Sequence, residues 1–127
     1  MSANPEGPFQ QHVTFLDVPD MRHTIDFYER VLGLRLARDQ GTCRIYHVAG
    51  TAYLGFCERA GATAPASGLT ITLVTDRVDE WCRRLKANGV EFVKEAADNP
   101  PYRIYNAFVR DPNGYLLEIQ RFWEPLV

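Results

Sequence analysis

Residues 12–34, HVTFLDVPDMRHTIDFYERVLGL, and residues 69–90, LTITLVTDRVDEWCRRLKANGV, are two copies of one pattern. Each begins with a run rich in Val, Leu, Ile or Thr, which is typical of a strand buried on at least one face. Each continues with an aspartate placed to cap a helix and an apolar stripe at helical spacing. Each ends at a glycine, the usual left-handed stop of a helix. The chain therefore contains a repeated strand–helix unit.

Three pairs of identical residues align the two copies with an offset of 56 positions: Val18 with Val74, Asp20 with Asp76, and Gly33 with Gly89. Three short β-like runs follow each helix, at 34–38, 43–48 and 52–57 in the first copy and at 90–94, 103–110 and 115–121 in the second. The pattern predicts an α+β fold made of two βαβββ modules.

The modules span about 11–58 and 69–121, and we expect the 127 residues to form a single domain. Residues 59–68, rich in Ala, Gly and Pro, predict a linker, and residues 95–102 predict a surface loop. Asp111-Pro-Asn-Gly predicts a hairpin turn. The apolar tail, 122–127, is expected to pack Phe122 and Trp123 over the binding face or a dimer seam.

The composition argues against several functions. Fourteen Lys and Arg against sixteen Asp and Glu leave a net charge of −2, so we expect neither a nucleic-acid partner nor an anionic membrane partner. No apolar run approaches the length of a membrane span, and residues 1–10 do not resemble a signal peptide. Cys43, Cys57 and Cys82 are odd in number and lack a C-x-x-C pair, which predicts reduced thiols in a cytoplasmic protein.

The string from Val18 to Leu34 resembles the first-module signature of the vicinal oxygen chelate superfamily, and the string from Asp111 to Glu118, DPNGYLLE, is similar to its last hairpin. That superfamily includes glyoxalase I, bleomycin and fosfomycin resistance proteins, and extradiol dioxygenases. The resemblance implies two βαβββ modules whose mixed sheets curl into an open cup, in a homodimer that builds each cup at a junction of modules. Its members range from lyases and dioxygenases to drug binders, so the fold does not decide the chemistry.

The resemblance also implies up to four metal ligands, of type His, Glu or Gln, on strand positions that face the cup. Carried onto this chain, those positions hold Val13, Leu69, approximately Gly55, and Glu118, so one carboxylate alone matches a ligand type. His12 lies one residue too early, which turns its side chain to the other face of a strand. We therefore expect no cofactor and no metal; a divalent ion on Glu118 and His12 is the alternative, if a bulge returns His12 to the cup.

Strand alternation counted from Val13 and Glu118 predicts a lining that is mostly apolar and aromatic, with few polar groups to orient a ligand. Such a composition is typical of a small-molecule pocket. Lys94 is expected to be solvated at a strand end. The predicted lining residues are Val13, Phe15, Asp17, Tyr53 and Cys57 in the first module, and Leu69, Ile71, Leu73, Asn106, Phe108, Leu116, Glu118 and Gln120 in the second.

The leading hypothesis is a metal-independent protein of the glyoxalase and bleomycin-resistance type that binds a small, largely apolar or aromatic molecule. The alternative is a metal-dependent lyase, isomerase or dioxygenase with a displaced site of His12, Glu118 and a third residue such as His47 or Glu58. A third hypothesis is a metal-free enzyme in which Glu118 or Asp17 acts as general base. The residues leave the question of catalysis open.

Overall fold

The computed structural model describes residues 7–126 and contains two four-stranded mixed sheets, one in each half of the chain. The chain divides into two units between Thr63 and Ala64. In each unit one strand and one helix precede three further strands. This order confirms the predicted α+β class and the two βαβββ modules. No helix among the described residues is long and apolar enough to cross a membrane.

The first unit has four strands and one helix that changes type along its length. Its elements are β1 (His12–Val18), α1 (Met21–Ile25), a π-helical segment that continues α1 (Asp26–Val31), β2 (Arg35–Asp39), β3 (Cys43–Ala49) and β4 (Ala52–Glu58). The sheet order is β1-β4-β3-β2, with β1 parallel to β4. As predicted, Asp20 caps the helix, because its Oδ1 accepts a hydrogen bond from the Arg22 amide at 2.9 Å.

The helix covers one face of the first sheet with aromatic rings. Tyr28, Tyr46 and Phe56 are fully buried, and the ring centroids of Tyr28 and Phe56 are 4.4 Å apart. The Tyr46 hydroxyl donates to the Glu29 carboxylate at 2.6 Å. Burial and this bond raise the pKa of Tyr46 to about 12. The opposite side of the sheet, which we call the first open face, carries the alternate residues of each strand.

The second unit repeats this arrangement with a regular α-helix. Its elements are β5 (Ile71–Val74), α2 (Val78–Ala87), β6 (Phe92–Asn99), β7 (Ile104–Arg110) and β8 (Leu116–Phe122). The sheet order is β5-β8-β7-β6, with β5 parallel to β8. Helix α2 and the strands bury Leu85, Val109, Leu117 and Ile119 between them. The other side of this sheet is the second open face.

Two local predictions for the second unit are wrong. The segment 95–102 is not a loop throughout, because β6 continues to Asn99 through two register shifts against β7. An edge strand tolerates such polar, irregular sequence, since one of its sides needs no partner strand. Asp76 does not cap α2; the Arg77 amide instead donates to Thr75 Oγ1 at 3.0 Å. The turn at 111–114 forms as predicted, with Asp111 Oδ1 accepting from the Asn113 amide at 2.9 Å.

The π-helical segment explains why a single offset does not align the two units. Helix α1 begins at Met21 and α2 at Val78, 57 positions later, whereas the helix-ending glycines, Gly33 and Gly89, are 56 positions apart. In the first unit the Leu32 amide donates to the Phe27 carbonyl five residues back, at 2.9 Å. A π-turn holds one residue more than an α-turn. Residues that follow the two helices therefore correspond with an offset of 56, and residues that precede the helices correspond with an offset of 57.

The predicted tail separates into two parts. Phe122 is the last residue of β8, and Trp123 packs against the turn between β6 and β7. There the Trp123 Nε1 donates to Asp98 Oδ1 at 3.1 Å, and the Arg103 guanidinium lies 5.4 Å from the ring centroid. Within the second unit Trp123 thus packs beside the strand ends and not over the open face, and packing of the tail over a dimer seam stays a prediction. Residue 127 lies outside the described residues.

Candidate ligand-binding site

Polar side chains converge on the Glu118 carboxylate at the centre of the second open face. Thr72 Oγ1 donates to Glu118 Oε1 at 2.7 Å, and Asn106 Nδ2 donates to Oε2 at 2.7 Å. Lys94 Nζ in turn donates to Asn106 Oδ1 at 3.0 Å. Glu118 is 8% exposed and Asn106 is 1% exposed. A buried carboxylate is thus held by a chain of donors that ends in a cation.

Gln120 completes this network. We assign its amide nitrogen to the side facing Glu118 from the hydrogen-bond pattern, which puts the nitrogen 3.1 Å from Oε1 and 2.6 Å from Oε2. Oε1 then accepts from Thr72, Oε2 accepts from Asn106, and the Gln120 nitrogen is shared between the two oxygens. Because a carboxylate offers about four lone-pair positions in all, these three protein donors use most of its acceptor capacity.

The network forms the polar floor of a cavity of about 350 Å³ in the second unit. The walls are apolar or aromatic, and Tyr102, in the turn after β6, stands at the edge with 75% of its side chain exposed. This mixture of apolar walls and a few polar groups is the usual make-up of a small-molecule site. The lining residues are Asn99, Tyr102, Ile104, Asn106, Phe108, Glu118, Gln120 and Phe122.

The structure puts the predicted lining of β7 and β8 on the second open face: Asn106, Phe108, Leu116, Glu118 and Gln120. The prediction that Lys94 is solvated is wrong, because this side chain reaches the Asn106 amide oxygen from the edge strand. These residues share one face because β7 and β8 pair in the register Asn106 with Gln120 and Phe108 with Glu118.

The predicted lining of β5 is wrong. Ile71 and Leu73 pair with Leu117 and Ile119 on the face covered by α2, and Leu69 precedes the strand. The open-face position belongs to Thr72, which the predicted lining does not include. The cause is the offset of 56, since a one-residue error exchanges the two faces of a strand. The start of the second helix, counted separately, would have revealed the shift.

The predicted lining of the first unit lies on the first open face: Val13, Phe15, Asp17, Tyr53 and Cys57. The Phe15 ring lies directly over Gly55, where an added Cβ would be 2.4 Å from the ring Cδ1. Asp17 forms an ion pair with Arg59, with 3.1 Å between Oδ2 and Nε. The side chain of Asp17 thus has a cation beside it at the end of β1.

The prediction of three reduced thiols is wrong. Cys43 and Cys57 lie directly opposite one another on β3 and β4 and form a disulfide with 4.1 Å between their Cα atoms. The sequence carries a signal for this bond, because the predicted runs 43–48 and 52–57 place the two cysteines at the open end of one hairpin. Cys82 is free and buried in α2, and burial raises the pKa of its thiol. Neither Cys57 nor Cys82 is therefore a ready nucleophile.

The positions that the resemblance marks as metal ligands do not fit a divalent ion. Val13 is aliphatic, Gly55 lies under the Phe15 ring, and the Glu118 oxygens are occupied by protein donors. Across residues 7–126, no three His, Cys, Asp or Glu side chains are grouped so that they could hold a metal. The donor set therefore lacks the imidazoles and free carboxylate oxygens that such an ion requires.

The residues considered for a displaced metal site each have another partner. His12 lies on the face of β1 opposite Val13, and its Nε2 hydrogen-bonds with Thr14 Oγ1 at 2.9 Å. His47 Nε2 hydrogen-bonds with the Gly50 carbonyl at 2.9 Å. Glu58 Oε2 accepts from the Met21 amide at 2.8 Å, at the start of the helix. No bulge interrupts the pairing of β1 with β4, so His12 is not turned to the open face.

Comparisons with known proteins agree with this architecture. The family model described as Glyoxalase/Bleomycin resistance protein/Dioxygenase superfamily matches residues 10–119. The lactoylglutathione lyase of Escherichia coli O157:H7 is 31% identical over 118 residues, which cover 84% of this chain and 87% of that protein. The lactoylglutathione lyase of Haemophilus influenzae is 29% identical over 121 residues, covering 83% and 87%.

Solved structures are similar over most of the chain. The lactoylglutathione lyase from Agrobacterium tumefaciens has a TM-score of 0.70 and 25% identity, with 93% of this chain and 96% of that chain covered. A glyoxalase/bleomycin resistance protein/dioxygenase from Nocardioides has a TM-score of 0.75 at 18% identity, covering 94% and 86%. At that identity the second likeness supports the fold alone.

Proposed function

Because the chain belongs to the Glyoxalase/Bleomycin resistance protein/Dioxygenase superfamily, we propose that it binds a small, largely apolar or aromatic molecule without the help of a metal ion. The observation that carries this proposal is the Glu118 carboxylate, whose oxygens accept from Thr72, Asn106 and Gln120. A metal ligand must direct a lone pair at the ion, and here protein donors already use most of the lone pairs of this carboxylate. Glu118 therefore orders the neighbouring amides.

The ligand contacts follow from the cavity of the second unit. Ile104, Phe108 and Phe122 supply apolar area, and burial of such area drives binding of an apolar molecule. Asn106 and Gln120 are locked by their bonds to Glu118, so their amide groups have fixed orientations. Fixed polar groups in an apolar cavity select a ligand by its hydrogen-bonding pattern at little entropic cost.

Metal analysis and ligand titration test the proposal together. Protein purified without chelator is expected to hold far less than one divalent ion per chain, and 2-naphthol is expected to bind with an affinity that added Zn²⁺, Ni²⁺ or Mn²⁺ does not change. Phe108→Ala should weaken binding about tenfold, because it removes most of one aromatic wall. Val93→Ala, which truncates an exposed side chain on β6 outside the cavity, is the matched control.

Stoichiometric metal that is lost in Glu118→Gln would contradict the metal-free proposal. Equal effects of Phe108→Ala and Val93→Ala would contradict the cavity as the site.

Catalysis by a metal-dependent lyase is the second candidate, and the 31% identity to a lactoylglutathione lyase favours it. An assay for lactoylglutathione formation with added Zn²⁺, Ni²⁺ or Mn²⁺ separates the two. We expect no metal-stimulated turnover, because Val13 and Gly55 offer no ligand atoms. Turnover that requires both the added ion and Glu118 would establish the lyase and overturn the binding function.

General-base catalysis by Glu118 or Asp17 has less support. The Glu118 oxygens point at protein donors, and Asp17 is paired with Arg59. A general base needs a lone pair within reach of the proton it removes. A pH–activity profile would test this hypothesis for any reaction found.

We further propose a homodimer, as the family resemblance implies, and a cytoplasmic location. Light scattering is expected to give twice the 14.5 kDa mass of the chain. The location requires that Cys43–Cys57 persist where disulfides are rare, so fractionation of the source cells with thiol trapping is its test.

A further inference from the structure

A β-bulge in β2 turns two arginines to the same side of the first sheet. The ladder between β2 and β3 pairs Arg35 with His47 and Arg38 with Ile45, which leaves Ala37 as an extra residue. In a regular strand, Arg35 and Arg38 would lie on opposite faces, since they are three positions apart. The bulge adds one residue to β2, and both side chains therefore belong to the first open face.

The two arginines border a cavity of about 310 Å³ in the first unit. Val13, Ile45 and Tyr53 give this cavity an apolar and partly aromatic floor. Val13 is 37% exposed, so apolar surface is accessible there. The cavity thus combines an apolar floor with a cationic rim.

Arg35 and Arg38 differ from the other arginines of this unit in their pairing. Within the part of the chain that the structure describes, neither forms a salt bridge. The four others each do, with a carboxylate of the same unit: Arg22 with Asp20, Arg30 with Asp26, Arg44 with Glu29 and Asp39, and Arg59 with Asp17. Two neighbouring guanidinium groups without a carboxylate create a local positive potential in a chain whose net charge is −2.

We propose that the first open face binds an organic anion, namely a carboxylate or phosphate monoester carried on an apolar or aromatic body. Arg35 and Arg38 bind the head group, because the guanidinium fork matches the geometry of both oxyanions. The body packs on Ile45 and Tyr53, where it is removed from water. The proposal concerns the first unit alone and does not rest on the function proposed for Glu118.

Calorimetric titration with three probes of one shape tests the proposal: 1-naphthoate, 1-naphthyl phosphate and the neutral 1-naphthamide. We expect at least one of the anions to bind about fivefold to tenfold more tightly than the amide, with a preference that weakens as salt is added. If one anion alone shows the preference, it identifies the head group. Methyl NMR signals of Val13 and Ile45 are expected to shift on titration.

Charge-neutral variants locate the head group. The double variant Arg35→Gln/Arg38→Gln is expected to bind the anions no better than the amide, and each single variant should lose about threefold. Arg83→Gln, which removes an exposed arginine of α2 with the same change in charge, is the matched control and should keep the full preference. Glu118→Gln should also leave the anion preference unchanged, which separates this proposal from the other site.

Deletion of Ala37 tests the bulge itself without a change in charge. Without Ala37, Arg38 follows Leu36 directly and still pairs with Ile45, two positions after Arg35, so both arginines should stay on the first open face and the anion preference should be retained. Circular dichroism checks that this variant folds, and Arg38→Gln serves alone if it does not. The proposal is overturned if both anions bind like the amide, or if Arg83→Gln or Glu118→Gln removes the preference as strongly as the double variant.

Discussion

The two open faces use equivalent ladder positions for opposite chemistry. In the first sheet Phe15 pairs with Gly55, and in the second Thr72 pairs with Glu118, at the same places in strands that share one topology. Phe15 fills the space above Gly55 with its own ring. Thr72 is small and donates a hydrogen bond to the Glu118 carboxylate. A large side chain opposite a glycine and a small side chain opposite a glutamate therefore fill equivalent positions of the two sheets in different ways.

The neighbouring open-face pairs, which join β3 to β4 in the first sheet and β7 to β8 in the second, show the same contrast. Cys43 lies opposite Cys57 and is bonded to it, whereas Asn106 lies opposite Gln120 and both amides turn to Glu118. The first open face is thus tied by a covalent bond, and the second by hydrogen bonds around a buried charge.

This difference is the physical reason for proposing different ligands for the two faces. A buried carboxylate needs several donors, and supplying them makes the floor of the second cavity polar. The first face has no such buried carboxylate, because its Asp17 lies at the end of β1 and is paired with Arg59. Its floor is apolar, and among the described residues the arginines on β2 form no salt bridge. On the two proposals made above, the first face takes an anionic ligand and the second a neutral one.

Among the variants that test this comparison, Asn106→Leu is expected to change the free energy of unfolding the most. The change removes the donor to Glu118 Oε2 and the acceptor of Lys94, and it leaves a buried charge poorly compensated. We expect the free energy of unfolding to fall by about 3 kcal/mol, the usual cost of breaking a buried network that contains a charge. Urea denaturation measures it.

The double variant Asn106→Leu/Glu118→Leu is the control, because it removes the charge along with its donor. It should be more stable than Asn106→Leu alone. If adding Glu118→Leu recovers none of the unfolding free energy lost in Asn106→Leu, the stabilising effect of Asn106 does not come from its hydrogen bond to Glu118.

Loss of the disulfide of the first face is expected to lower the free energy of unfolding slightly less than Asn106→Leu does. Cys43 and Cys57 are 14 residues apart, and closing a loop of this size stabilises a fold by about 2–3 kcal/mol. Cys43→Ser/Cys57→Ser should lower the unfolding free energy by that amount in urea. Reductant should destabilise the wild-type chain similarly and leave the double variant unchanged, since the remaining Cys82 is free already. An unchanged wild-type curve in reductant would show that the strands hold without this bond.

The parts of the fold set by local patterns could be predicted from the sequence, and the parts set by register between distant strands could not. The modules and the cap at Asp20 follow from local patterns within one element, whereas the open-face positions of Val13 and Glu118 are what the family resemblance implies. Ile71 and Leu73 were assigned to the wrong face because the additional residue of the π-helical segment is invisible in a pattern of apolar residues.

Side-chain partners in the site were also beyond the sequence. Asn106 and Gln120 were predicted to line the cavity, but their convergence on Glu118 depends on the pairing of β7 with β8. Lys94 lies within the predicted strand, but it reaches Asn106 across register shifts between β6 and β7 that no local signal announces. The bulge at Ala37, which brings Arg35 and Arg38 to one face, likewise has no local sequence signal.

The smallest effect is expected from Gly55→Ala, which tests the contact that distinguishes Gly55 from Glu118. The new Cβ would lie 2.4 Å from Cδ1 and 2.5 Å from Cε1 of Phe15, so the ring must move. Phe15 is 51% exposed and has room to swing, which limits the cost to about 1 kcal/mol. Unfolding in urea measures this loss, and Phe15→Ala removes its cause.

In the Phe15→Ala background, Gly55→Ala should be neutral or stabilising by about 0.5 kcal/mol, because alanine loses less backbone entropy than glycine in a strand. The two changes would then be coupled by about 1 kcal/mol, as expected for side chains in direct contact. Additive effects would mean that contact with the Phe15 ring is not the reason why position 55 holds a glycine. The absence of a side chain opposite Phe15 would then need another cause, and the pairing of Phe15 with Gly55 would no longer be the counterpart of Thr72 with Glu118.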